Sequence, residues 1–427
     1  MTASVEIKGW CPGARRPMPS GDGLIVRVRP HGGALPVSAL RELAEAAQRY
    51  GNGQIDLTRR ANLQIRGVSS ETLAPLWELM ASLGLLDDSA ELEAIRNIVV
   101  NPLAGLDPAE WVDMRPVAAE LETLLASDQA LHALPPKFGF ALDGGGRLPL
   151  TGLAADVRLV ACGGTEARRI AVGIASSNDD VWLGTAAVTD AASTAVHLAR
   201  LVLQHSPTRR SATLQPQASA AIRAELGLDV SNVSNVIATA SATISQRRCG
   251  IIALTDQTCA VGLGVPFGRI DSGTLARLAA MLAAHDVAEV RLSPWRALYV
   301  SAGVVTAEQL VADAARLDLV VDDTDPLMRI DACSGVGCCP STGLATRQDA
   351  RVLADAMART GFNGTLHVSG CAKGCARSAA ADVVLVGEGE GYHVVRNGTV
   401  KSEPCGMLDP TEIDVDGLFE TKEKADV

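Results

Sequence analysis

Five of the ten cysteines fall within 43 residues: Cys333, Cys338, Cys339, Cys371 and Cys375. The run DACSGVGCCPSTG places five residues between Cys333 and Cys339, and SGCAKGCARS places three between Cys371 and Cys375. Gly335, Gly337, Gly370 and Gly374 lie among them. Glycine lets a backbone curl tightly and aim its amides at sulfur, which a cluster carrying negative charge needs. Four thiolates on two such loops fit a [4Fe–4S] cluster. A four-cysteine zinc site is the competing reading, although its paired ligands usually stand about two to four residues apart. Either neighbour in Cys338–Cys339 satisfies the spacing. Pro340 suits a chain turning away from a ligand and favours Cys339. The scattered Cys11, Cys162, Cys249, Cys259 and Cys405 read as small buried hydrophobes, with Cys11 set apart by its Cys-Pro-Gly context near Arg15 and Arg16.

Loops of this kind need a scaffold, and the chain supplies one twice. Residues 24–65 read as strand, helix, and two strands joined by a tight turn. Leu40, Leu43, Ala44 and Ala47 share one helical face. Residues 259–300 repeat the grammar at a constant offset of 235. Leu40 falls on Leu275, Leu43 on Leu278, Ile55 on Val290 and Leu63 on Leu298. A helix follows each copy, at 70–83 and 306–316. The order predicts a ferredoxin-like β-α-β-β-α-β unit in each. A weaker match, offset by 226, relates 138–160 to 364–386. There Gly144–Gly146 stand near the positions of Gly370 and Cys371, so the cysteines belong to the second copy alone. The segment 205–235 reads as a helix plus linker. The expected architecture is α+β, with a ferredoxin-like half-domain over 1–88 and a larger α/β domain without a cluster over 89–240. A second half-domain over 241–325 and a cluster-bearing domain over 326–427 follow, related to the first pair by a pseudo-two-fold.

Composition narrows the function. The 427 residues are 47% hydrophobic and 20% charged, enough for real cores. Aromatics are 3% and the net charge is −11, which argues against nucleic acid and against an anionic membrane surface. No apolar run reaches the roughly 18 residues of a membrane span; His285 and Asp286 interrupt LARLAAMLAAHDV. The opening MTASVEIKGWCPGARRPMPS has no signal-peptide core, so the chain reads as cytoplasmic, where ten cysteines are not a disulfide framework.

The cysteine pattern on a duplicated ferredoxin-like half resembles the nitrite/sulfite reductase superfamily. IDLTRRANLQIRG at 55–67, RNIVVNPLAG at 96–105 and LPPKFGFALD at 134–143 are similar to its three substrate-side strands. The resemblance implies catalytic roles for Arg60, Arg96 and Lys137, and a [4Fe–4S] cluster held by Cys333, Cys339, Cys371 and Cys375. Three positions depart from the reductases: Gly139 replaces a second lysine, Asp56 an arginine and Ala61 a glutamine. Losing a cation at the reacting centre weakens six-electron reduction of a small anion. The run GWCPGARRPMPSGDGLIVRV and the short length resemble one branch, the precorrin-3B synthases of aerobic cobalamin biosynthesis. That branch implies precorrin-3A and O₂ as substrates, with hydroxylation at C-20, lactone closure from the ring A acetate, and electrons relayed through the cluster. It also implies a mononuclear non-haem iron, for which no ligand set stands out; His31 and His367 read as structural or exposed. Arginine forks and lysines suit the many carboxylates of a precorrin. Arg27 and Arg29 share one strand face, though each could equally be a solvated surface residue. No nicotinamide-binding glycine fingerprint follows a strand, so the electrons would come from a separate donor or reductase. Two alternatives remain: a sirohaem-dependent nitrite or sulfite reductase, and a zinc-stabilised tetrapyrrole-binding protein.

Overall fold

The computed structural model describes residues 11–162, 168–175, 180–230, 248–409 and 415–419. Gly9 and Trp10 of the N-terminal run, and the end of the 205–235 segment, lie outside them; a helix spans Pro216–Leu226 within that segment.

The repeat is realised element for element. Strand Gly23–Val28 matches Thr258–Gly264, helix Val37–Tyr50 matches Ser272–Ala284, and strand Leu63–Val68 matches Ala297–Gly303. Leu40, Leu43, Ala44 and Ala47 are buried as their spacing requires, and so are Leu275, Leu278 and Ala279. All seven lie in one shared core, and the two helices pack on each other. Burying each large aliphatic side chain contributes about 1.5–3 kcal/mol. That sum makes the two copies a single body.

The structure departs from a self-contained β-α-β-β-α-β unit in one respect. The helix Ser70–Ser82 is followed by a strand that joins another sheet, so the edge of Gln54–Leu57 is left open. An open edge is an unpaired row of donors and acceptors. Arg269–Asp271, from the second copy, fills it: Arg269 pairs with Asp56, Ile270 with Ile55 and Asp271 with Gln54. Reciprocally, Ala34–Pro36 of the first copy pairs with Glu289–Arg291 of the second. Asp271 also caps the next helix, its carboxylate accepting from Thr274 N at 2.9 Å. Each copy therefore completes the other's five-stranded sheet.

Two further five-stranded sheets carry the loops. One runs in the order Asp180–Ala187, Arg169–Ala175, Val157–Cys162, Phe140–Asp143, Ile98–Val100; the other runs Ile330–Ala332, Leu366–Ser369, Ala381–Glu388, Gly391–Gly398, Gly406–Leu408. In both, three neighbouring strands are parallel, with Phe140 opposite Val157 and Leu366 opposite Val383. The weak match at offset 226 is thus a true structural register. Among the described residues no helix is long and apolar enough to cross a membrane.

Candidate functional site

Cys333 follows strand Ile330–Ala332 and Cys371 follows Leu366–Ser369. These strands are parallel neighbours, Asp331 opposite His367, so both cysteine loops leave the same sheet edge. Crevices outside the carboxyl ends of parallel strands are where such sheets bind ligands. Cys333 N donates to Val368 O at 3.1 Å, and Gly370 N donates to Cys333 Sγ at 3.2 Å. Thr346 Oγ1 donates to Cys333 O at 2.9 Å. Lys373 Nζ reaches Ser341 Oγ at 3.1 Å and ties the two loops together. Gly335 has φ of +68° and a Cβ there would meet Thr346 Oγ1 at 2.6 Å, so only glycine closes this loop.

Burial pushes the Cys375 thiol up, and the neighbouring Cys371, Cys333 and Cys339 push it further. A thiol whose ionisation three neighbouring thiols disfavour suits a cation-rich group between them. Cys338 stands apart: Arg269 Nη1 donates to its Sγ at 3.2 Å. With an amide aimed at Cys333 Sγ, and with Cys371, Cys333 and Cys339 near enough to Cys375 to act on its charge, this chemistry fits an iron–sulfur cluster. Among the described residues no three His, Cys, Asp or Glu side chains are grouped to hold a single metal ion. No ligand set for a mononuclear iron is thus marked out among the described residues. His31 is exposed against Glu122, 2.5 Å away. His367 is fully buried with neither ring nitrogen hydrogen-bonded, and burial above all drives its pKa down to about 4.

Of the scattered cysteines, Cys162, Cys249 and Cys259 are buried, and Cys11 is half-buried beside Arg27. Cys405 corrects the expectation of a buried hydrophobe. It is exposed because it leads into the short edge strand Gly406–Leu408.

The cationic residues come from the first copy. Arg60 sits in the turn between strands Gln54–Leu57 and Leu63–Val68, where Thr58 Oγ1 accepts from Arg60 N and Asn62 N, each at 3.2 Å. Its Nη2 donates to Lys137 O at 3.0 Å, while Nη1 is buried without a partner. Burial lowers its pKa. Lys137 is exposed. Arg27 and Arg29 are both buried rather than solvated. Burial first, then the Arg29 charge, takes Arg27 down to about 10, and its Nη1 also lacks a partner. Arg29 is held by Glu93. Arg96 is buried and fully engaged: it forks onto Asp87 at 2.7 and 2.9 Å and donates to Arg29 O at 2.9 Å. The structure thus brings Arg60 and Lys137 together, and sets Arg96 behind them, anchoring the Arg29 strand.

The departures from the reductase pattern have physical readings. Gly139 has no positive φ, and a Cβ there would find nothing closer than Asn97 O at 3.5 Å. The fold therefore does not exclude a side chain at this position. Asp56 accepts from Arg269 at 2.6 and 3.0 Å and from Arg66 at 3.2 Å, with Arg347 at 3.8 Å. Where the reductases carry one arginine, this chain gathers three around a carboxylate.

A second such node escapes sequence reasoning. Asp331 accepts from Arg59, Arg296 at 2.8 Å and Arg377 at 3.0 Å. One arginine comes from each ferredoxin-like copy and one from the domain of the cysteine loops. Nothing in the local sequence around any of them signals the meeting.

Comparison with known proteins agrees with this architecture. Residues 16–83 match the nitrite/sulfite reductase ferredoxin-like half domain, and residues 91–290 match the nitrite and sulphite reductase 4Fe-4S domain. The second match ends before the cysteine loops, which lie in the later copy. A precorrin-3B synthase from a Sinorhizobium species is 34% identical over 96% of this chain and 87% of its own. Sulfite reductase [ferredoxin] 2 of Mycolicibacterium paratuberculosis is 25% identical over 87% of this chain and 71% of its own. An assimilatory ferredoxin-dependent nitrite reductase of Haloferax mediterranei is 32% identical, but over only 28% of this chain and 22% of its own. The solved structure of the Mycobacterium tuberculosis NirA protein superposes with a TM-score of 0.71 at 18% identity, covering 91% of this chain and 78% of that one.

Proposed function

This chain belongs to the precorrin-3B synthase family of the nitrite/sulfite reductase superfamily, and from that premise we propose that it hydroxylates precorrin-3A at C-20 using O₂, with lactone closure from the ring A acetate. The observation that carries the reading is the pair of buried, unpartnered guanidinium nitrogens on Arg27 and Arg60, beside Lys137 and with no second lysine at position 139. A buried N–H group lacking an acceptor is costly, and the carboxylates of a precorrin would supply the missing acceptors. The missing second lysine at position 139 weakens the case for reduction of a small anion.

Cys333, Cys339, Cys371 and Cys375 would hold the [4Fe–4S] cluster, which supplies single-electron transfer when bound. The remaining work falls to this chain's residues. Arg27 and Arg60 orient the macrocycle through its carboxylates, and Lys137 adds a mobile point charge at the rim. Arg96 fixes the strand behind Arg27 and Arg29 through its bond to Arg29 O. One oxygen atom of O₂ enters the product and the other leaves as water, so two electrons and two protons must arrive from an external donor.

The test is anaerobic purification with iron, zinc, acid-labile sulfide and the visible spectrum measured on one sample, followed by turnover of precorrin-3A with and without O₂. About four sulfides, no sirohaem bands and O₂-dependent product are expected. Sirohaem bands would move the chain to the reductases, and zinc without sulfide would exclude both enzyme readings.

A further inference from the structure

The duplication implies a second groove. A cavity of about 450 Å³ opens between the turn Pro294–Arg296, the segment entering strand Ile330–Ala332, and Thr365. Part of its wall is the second-copy image of the candidate site, joined by Arg59 of the first copy and by Arg377, which follows the Cys375 loop. At the repeat offset of 235, Trp295 stands where Arg60 stands in the first copy. Strand Ile330–Ala332 matches Ile98–Val100, so Met328 replaces Arg96. Strand Leu366–Ser369 matches Phe140–Asp143, so Thr365 replaces Gly139 and Asn363 replaces Lys137.

The charge of this groove is carried by arginines at other positions than those of the candidate catalytic residues. Arg59, Arg248, Arg296, Arg329 and Arg377 line the cavity against two carboxylates, Asp323 and Asp331. The lining side chains thus carry three more positive charges than negative ones in a partly enclosed space. Arg329 is held by the carbonyls of Thr324 and Phe362 at 3.2 and 3.4 Å, and its Nε is buried without a partner. The Arg248 guanidinium lies 5.0 Å from the centre of the Trp295 ring, so a flat cationic and aromatic wall backs the charges. Forks of this kind match clustered carboxylates.

We propose that this cavity is a second, non-catalytic binding site for clustered carboxylates, borne either by a tetrapyrrole or by a free tricarboxylate. It binds without converting, because the images of Arg60, Arg96 and Lys137 are uncharged and the images of Cys333 and Cys371 in the first copy are Asn101 and Gly145. The proposal stands on the duplication and the charge balance, independently of the reaction assigned to the first groove.

The test is calorimetric titration of the full chain, and of the Arg60→Ala variant, with uroporphyrin III and separately with citrate. In the Arg60→Ala background one equivalent of at least one probe is expected to bind, weakened tenfold or more by Arg329→Gln and again by Arg248→Gln. Binding of uroporphyrin alone identifies the tetrapyrrole as the source, and binding of citrate alone the free acid. Absence of binding by both probes, or affinity unchanged within twofold in both pocket variants, overturns the proposal. Should Arg329→Gln fail to fold, Arg248→Gln decides. Turnover of precorrin-3A by the unaltered chain is measured separately, so the two readings fail independently.

Discussion

Arg59 places Nη2 2.6 Å from both carboxylate oxygens of Asp331, and so ties the turn that carries Arg60 to the strand that ends at the Cys333 loop. The Arg60 turn and the cysteine loops are thereby fixed to each other through one carboxylate. Arg59 is half exposed, so its own pair is worth little in isolation. The node draws its strength from Arg296 and Arg377, which close on the same buried group.

Asp331→Asn should loosen all three domains at once. A buried carboxylate lost from among cations leaves them uncompensated, at a cost of about 3–5 kcal/mol. Urea unfolding of the full chain reads this. A loss below 1 kcal/mol would show that the node is not structural.

Asp56 should make the chain sensitive to acid. Burial acts to raise its pKa, but the hydrogen bonds and charge of Arg269, with Arg347 and Arg66 beyond, hold it below the usual carboxylate range. A depressed folded pKa contributes stability that is complete above the unfolded value of about 3.9 and is lost as pH falls through the folded one. Asp56→Asn should lower stability at neutral pH and flatten its fall below pH 4. Denaturation midpoints measured across that range test both.

Cys339→Ala and Cys338→Ala should separate cleanly. The first should lose acid-labile sulfide and the visible absorbance of the cluster. The second should keep both, since Cys338 faces Arg269. Equal loss in the two variants would overturn the proposed assignment of Cys339.

Arg60→Ala and Lys137→Ala should each keep the cluster while lowering kcat/KM for precorrin-3A. Arg60 should cost about 100-fold, as for a preorganised donor, and exposed Lys137 less. Iron and sulfide counts on the same samples separate a binding defect from cluster loss.

Gly139→Ala should be neutral or stabilising, by up to about 1 kcal/mol, because the position is unstrained and the substitution narrows the unfolded ensemble. Its N–H bond to Asp156 at 3.0 Å is unaffected. A large destabilisation would mean that glycine is structurally required there.

The cysteine loops were legible because ligand spacing and glycine content are local properties. The copies were legible because Leu40, Leu43 and their images at Leu275 and Leu278 keep one register over several elements. Choosing between Cys338 and Cys339 needed Arg269, which arrives from a strand some seventy residues upstream. The Asp331 node needed three arginines from separate segments, and no window of sequence contains two of its members. Burial of Arg27 and Arg29 was equally hidden, since strand alternation gives a shared face but not what covers it. The exchanged strands, each three residues long, are too short to announce their partners.

That exchange sets a timetable for synthesis. The first sheet closes only when Arg269–Asp271 pairs with Gln54–Asp56, roughly two hundred residues after strand Leu63–Val68 has been made. At about 5–20 residues per second, the early half waits some tens of seconds with a bare edge. Chaperone occupancy of nascent chains should therefore peak in that interval and fall once residue 271 leaves the ribosome.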